Sequence, residues 1–282
     1  MKKEKFNYKI KDHFLSKEVF SLALDRDSEI LRTRPKPALG DLPNYYDSKE
    51  YLSHQKKGET FLSKIYFVSK KIMLFFKTRI VARLFYNPGK ALDVGSGTGD
   101  FLLALKTKGW DVVGVEPAKL ARREASKLGI QHVKDIKNCD SQEFDLVTFW
   151  HSLEHVYSLN ETLASTAMAL KKGGQLIIAC PNYKSWDAKY YKKNWAAWDV
   201  PRHLRHFSPK SLRAVLEPMG FEQTKAMPLL LDSFYISILS EKIKESRTPF
   251  LKGVVFGMIS NLNGLFYKNF SSQAYIFRKK SN

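Results

Sequence analysis

The chain has 282 residues, 44% of them hydrophobic, which excludes wholesale disorder and is enough for one large α/β domain or two modest ones. A formal charge of +19 implies attraction to something anionic, whether a membrane surface, a nucleic acid or an acidic substrate. Cys139 and Cys180 give no disulfide framework and no metal spacing, as expected of a reduced compartment.

The basic start, MKKEKFNYKIKDHF, has no apolar run behind it, which argues against a signal peptide. No apolar stretch reaches the ~18 uninterrupted residues of a spanning helix, so a cytoplasmic protein is expected. Residues 1–58 are polar and held extended by Arg34-Pro35-Lys36-Pro37; they read as an extension capping an active site. From Phe61 to Tyr86 the period is helical, apolar and basic. Ile65, Val68, Ile72, Phe75 and Phe76 share one face, with Lys64, Lys70, Lys71 and Lys77 off it.

Strands and helices then alternate. Strands are expected at Lys90–Val94, Asp111–Val115, near His132–Lys134, at Phe144–Phe149 and at Gln175–Ala179. Helices are expected at Asp100–Thr107, Ala118–Leu128 and from a cap at Asn160 to Leu170, with Gly173-Gly174 as a break. A helix at Lys210–Met219 and strands at Phe221–Met227 and Ala274–Arg278 follow. This pattern predicts a Rossmann-like, doubly wound, mostly parallel sheet over residues 59–282, with inserts at about 183–207 and 229–270.

The strongest motif is ALDVGSGTGDF, Ala91 to Phe101, where the first strand of that sheet turns into a helix. Gly95 permits the tight turn, while Gly97 and Gly99 let the backbone approach a ligand. A dinucleotide fingerprint would need its third glycine where Asp100 stands. Asp93 and Asp100 would also repel a pyrophosphate, whereas carboxylates favour the sulfonium and ammonium of S-adenosylmethionine. Glu116, after the second strand, has the bidentate geometry to accept hydrogen bonds from both ribose hydroxyls.

DVGSGTGDF, VVGVEP, FDLVTFWHSLEHV and ALKKGGQLIIACPN together resemble, in order, the motifs of class I S-adenosylmethionine-dependent methyltransferases, closely over Phe85 to Asn182. WDVPRHLRHF, Trp198 to Phe207, and the stretch from Tyr45-Tyr46 to His54 resemble the subgroup that includes ubiquinone-type and natural-product O-methyltransferases. That likeness implies S-adenosylmethionine as cofactor. The backbone at Gly95, Ser96 and Gly97 would hold its methionine part, Glu116 the ribose, and Asp135 with Ile136 the adenine, with Asp93 also among the cofactor-binding residues. Trp150 and His151 would line its reactive side. In ubiquinone-type relatives a Glu-x-x-Glu-His run has a metal-related role; here His151 replaces the first Glu, so no metal is expected.

Methyl transfer mostly requires alignment, plus a base for an oxygen or nitrogen acceptor. His151, His155, His203 and His206 are the candidates, with Glu154 beside them at a helix start. The aromatic stretch Tyr183 to Trp198 reads either as a lid over an apolar substrate or as the insert's own core. Phe250–Phe266, apolar and basic, suits either the sheet's flank or the interface of an anionic membrane on its inner face. The acceptor is expected to be small or lipid-like and to be methylated on a hydroxyl. A nucleic-acid methyltransferase and a non-catalytic S-adenosylmethionine-binding protein are the alternatives. Trp150-His151-Ser152-Leu153 lacks the Pro-Pro-aromatic turn that grips a flipped base, which argues against nucleic acid.

Overall fold

A computed structural model describes residues 8–46 and 61–281, with the side chains of the first helix described from Lys71 onward. Strands β1 (Lys9–Lys11), β2 (Val19–Leu24) and β3 (Leu31–Arg34) come first. Helix α1 (Phe61–Ala82), β4 (Lys90–Val94), α2 (Asp100–Lys106), β5 (Asp111–Val115), α3 (Lys119–Ser126), β6 (Gln131–Val133) and β7 (Phe144–Trp150) follow. Next are α4 (Leu159–Ala169), β8 (Leu170–Pro181), α5 (Trp186–Tyr191), β9 (Arg205–His206) and α6 (Pro209–Leu216). The chain closes with β10 (Phe221–Pro228), α7 (Leu230–Ile243), α8 (Pro249–Tyr267) and β11 (Ser272–Lys279).

The main sheet has the order β10-β11-β8-β7-β4-β5-β6. Its ladders from β6 to β8 are parallel, and β11 runs antiparallel to both neighbours. Apolar runs such as Leu146-Val147 and Leu176-Ile177-Ile178, wholly buried, mark strands covered on both faces. The chain winds outward from β4 in one direction and from β7 in the other. The crevice beyond the carboxyl ends of these two strands is therefore where such a sheet accepts a ligand.

A smaller antiparallel sheet, β1-β2-β3-β9, joins the N-terminal segment to the insert after β8. The sequence reading of residues 1–58 as extended missed these strands, because they are short and one face of each meets water. Asp47 to Thr60, with Tyr51 and His54 of the resemblance, lies outside the described residues. Tyr183, Trp195 and Trp198 are almost fully buried against Ile10, Phe20, Leu22 and Leu31. The aromatic stretch thus fills a core between the small sheet and the C-terminal helices.

Three local expectations are corrected. Ser158, not Asn160, precedes α4, and no side chain caps it. Strand β8 begins at Leu170 and runs through Gly173-Gly174, its ladder to β7 shifting register at that point. Among the described side chains of α1, Thr78, Ile80 and Val81 are buried, whereas Ile72, Phe75 and Phe76 are exposed. Ile65 and Val68 lie outside the described side chains.

Candidate functional site

The turn after β4 is shaped by three glycines with left-handed backbone, Gly95, Gly97 and Gly99. A Cβ on Gly95, at φ +79°, would meet the Cβ of Ser152 at 2.5 Å, so Ser152, two residues beyond β7, packs directly on the turn. Gly97, at φ +54°, faces open space. That side of the turn leaves the backbone accessible.

Two carboxylates frame the turn. Asp93 is buried and accepts a hydrogen bond from Thr148 Oγ1 at 2.6 Å. Its burial pushes the carboxyl pKa up to about 6, and Glu116 adds to the rise, while Thr148 and the Lys77 ammonium oppose it. Glu116 lies at the end of β5 and accepts from Gly97 N at 2.9 Å and Ala118 N at 2.8 Å. Each of its oxygens keeps a lone pair beyond those bonds. Ser96 Oγ sits 3.0 Å from His132 Nε2. Asp135 is exposed and accepts from Lys137 N at 3.0 Å, opening a short turn in which Ile136 is buried. These residues lie at the ends of β4, β5 and β6, along one edge of the sheet.

At the end of β7, Trp150 is buried with an unpartnered Nε1, its ring against Phe101. The Lys77 ammonium lies 5.0 Å from that ring's centroid. His151 adopts φ +54° and places Nε2 3.1 Å from Asp232 Oδ2 and Nδ1 3.6 Å from Glu154 Oε1. Burial disfavours the charged ring, but the Asp232 and Glu154 carboxylates outweigh it and raise its pKa to about 10. The motif reading did not include Asp232 or Lys77 in the site. Asp232 comes from the first turn of α7, far along the chain; from sequence its carboxylate could either face the active site or cap a helix, and no motif decides between the two.

Glu154 and His155 belong to a single short turn, Leu153–His155, rather than to the start of α4. Glu154 is buried with both carboxylate oxygens unpaired by hydrogen bonds. Burial raises its pKa, but His151, His203 and His155 together hold it below the ordinary value. His155 Nδ1 faces the Arg202 carbonyl and Tyr46 Oη, both at 3.0 Å, and His203 Nδ1 faces the Ala197 carbonyl at 2.9 Å. The ligating atoms of Glu154, His155 and His203 lie within 4.8 Å of one another, a donor set able to take a divalent cation. Desolvation and the neighbouring His203 push the His155 pKa down to about 4 and that of His206 well below its usual value. His206 is buried, 3.1 Å from Thr33 Oγ1 and edge-on to Trp198. Of the four histidines proposed from sequence, the structure brings His155, His203 and His206 together in the packing beside β9, and sets His151 at the crevice.

The Methyltransferase domain family matches residues 66–226, more than half of the chain, and the chain belongs to that family. It is a class I S-adenosylmethionine-dependent methyltransferase, and S-adenosylmethionine is its cofactor. Among its relatives is the ubiquinone biosynthesis O-methyltransferase of Idiomarina loihiensis, 29% identical over 169 residues that span 54% of this chain and 70% of that one. A protein of Methanocaldococcus jannaschii is 27% identical over 154 residues, 54% of this chain and 75% of its own. A methyltransferase structure from Archaeoglobus fulgidus shares the fold with a TM-score of 0.50 at 22% identity, covering 74% of this chain and 94% of that one.

The site fits this cofactor on its own chemistry. Gly97 leaves open space at the turn, and Asp93 and Glu116 place two carboxylates around it, which favour a sulfonium and an ammonium.

Proposed function

We propose that this methyltransferase acts on a hydroxyl of a small or lipid-like acceptor, aromatic or quinone-like in its reacting part, with His151 accepting the proton. The observation that carries this is the His151–Asp232 pair at the carboxyl end of β7. A carboxylate against an imidazole stabilises the imidazolium formed when a hydroxyl proton is taken. The printed name of the Idiomarina relative, an O-methyltransferase, supports oxygen as the acceptor atom.

When bound, S-adenosylmethionine supplies a methyl group activated by its sulfonium. Asp93 and the backbone of Gly95, Ser96 and Gly97 would hold its methionine part, Glu116 its ribose, and Asp135 with Ile136 its adenine. Trp150 and His151 would line the reacting side and exclude water there. His155, His203 and His206 act as positioning residues: His155 and His206 carry low pKa values and remain neutral, His155 and His203 pack beside Glu154, and His206 lies behind His203 against Trp198. The proton leaving the acceptor hydroxyl goes to a nitrogen of His151.

The test is methyl incorporation from labelled S-adenosylmethionine into catechol and hydroxyquinone acceptors, with amines and RNA alongside. Oxygen methylation that drops at least ~100-fold in His151→Asn supports the reading. Transfer to amines or RNA alone, or full activity in that variant, sinks it.

A further inference from the structure

Helix α8 is packed with its small residues inward and its large apolar residues outward. Gly253, Gly257, Ser260 and Gly264 form the buried side. A Cβ on Gly253 would fall 2.5 Å from the Ile238 Cα, and one on Gly257 2.8 Å from the Phe234 Cα, so α7 and α8 touch backbone to backbone. Ser233 Oγ donates to the Gly257 carbonyl at 3.2 Å and Ser260 Oγ to buried Asp187 at 2.9 Å. The opposite side carries Leu251, Val255, Met258, Leu262, Leu265 and Phe266, all exposed. Their spacing of three and four residues makes them one continuous stripe. Water opposes such a surface, which is far more apolar than a lone exposed leucine.

Charge decides among the occupants that could cover it. Helix α8 contains no acidic residue and a single charged one, Lys252, which is exposed. Exposed Lys242, Arg247 and Lys268 flank it, against one exposed acid, Glu245; Lys244 is paired with Glu241. A second copy of the chain would bring the same cations to the same face and add to a net charge of +19 that already repels it. An anionic bilayer offers both the apolar medium and the complementary charge. No helix among the described residues is long and apolar enough to cross a membrane. With 19 residues, α8 is ~28 Å long and suited to lying in the plane of the interface.

We propose that the α7–α8 hairpin docks the protein on an anionic lipid surface through the outer stripe of α8. Leu230 and Leu231, exposed beside Asp232 in the first turn of α7, extend the apolar surface to the residue that meets His151. The crevice then opens near the lipid. Docking itself does not depend on which acceptor is methylated.

The experiment is co-sedimentation of the full chain with phosphatidylcholine vesicles, with and without phosphatidylglycerol, at low and high salt, with no activity readout. Binding is expected with the phosphatidylglycerol vesicles, weaker in high salt, and reduced by about tenfold or more in a Leu262→Glu, Phe266→Glu double variant. Both side chains are exposed, and an unchanged thermal unfolding midpoint would show the variant folded. Three results each overturn the proposal: no binding to phosphatidylglycerol vesicles, equal binding by the folded double variant, or a stable dimer in solution that the double variant dissociates.

Discussion

Nε2 of His151 and Oδ2 of Asp232 stand 3.1 Å apart, tying the end of β7 to the first turn of α7, in a segment outside the matched family region. The contact sets the charge of the ring. Folding raises the His151 pKa from 6.5 to about 10, so the stability contributed by its charge is fully present below 6.5 and is lost as pH rises through about 10. A base must be neutral to accept a proton. The rate at low acceptor concentration is therefore expected to climb with pH well past neutrality. In Asp232→Asn the rising limb should move down toward ordinary imidazole values, in a profile measured on both proteins. A profile that stays put would detach His151 from the chemistry.

Glu116 should matter for ligand binding more than for folding. It holds the Gly97 and Ala118 amides, which water can replace at this edge of the sheet. S-adenosylhomocysteine at about a hundred times its dissociation constant should stabilise the wild type by ~2.7 kcal/mol, read as a rise in melting temperature. Glu116→Ala is expected to lose most of that rise, and NAD to produce none in either protein.

Gly95 and Gly97 should separate stability from binding. Gly95→Ala drives a methyl into Ser152 and should lower the melting temperature of the free protein. Gly97→Ala meets nothing, so its loss of stability should be limited to the backbone term of ~1–2 kcal/mol. Its methyl does enter the open side of the turn, and calorimetric titration should show S-adenosylmethionine affinity falling by more than stability does.

The N-terminal sheet is fastened by Asp12 and Arg202, a buried pair 2.9 Å apart, with Asp199 as the second partner of Arg202. Burial would raise the Asp12 pKa, but Arg202 and the amides of Ser16 and Phe14 outweigh it and lower it to about 2. That stability is complete above 3.8 and disappears as pH falls through about 2. Asp12→Ala leaves the guanidinium short of a partner in the interior and is expected to destabilise the fold by about 3–5 kcal/mol, measured by denaturant unfolding. An unchanged midpoint would show that the small sheet is held by its apolar contacts.

Much of the main sheet could be read residue by residue, because its strands are apolar runs and its helices end at Gly109 and Gly129, both left-handed in the structure. The acids around the turn were legible for the same reason: Asp93 and Glu116 sit at fixed offsets from the glycines. The strands of the smaller sheet were not, since β1 has three residues, β3 four and β9 two, too few for a period to register. Nor could period alone tell the faces of α1 or α8. Both helices turn large apolar residues outward, and what lies inward is decided by the neighbour they meet.

The sequence by itself determined the alternation that builds a doubly wound sheet, the place of the glycine turn and the acids beside it. Those features depend on neighbours a few residues apart, through backbone preference and periodicity. The tertiary structure alone decided that Asp232 meets His151, that Glu154 is buried among three imidazoles and that Asp12 closes on Arg202. Each of these contacts joins charges distant in the chain or fixes how far one is removed from water, and the strength of such a pair is set by that burial.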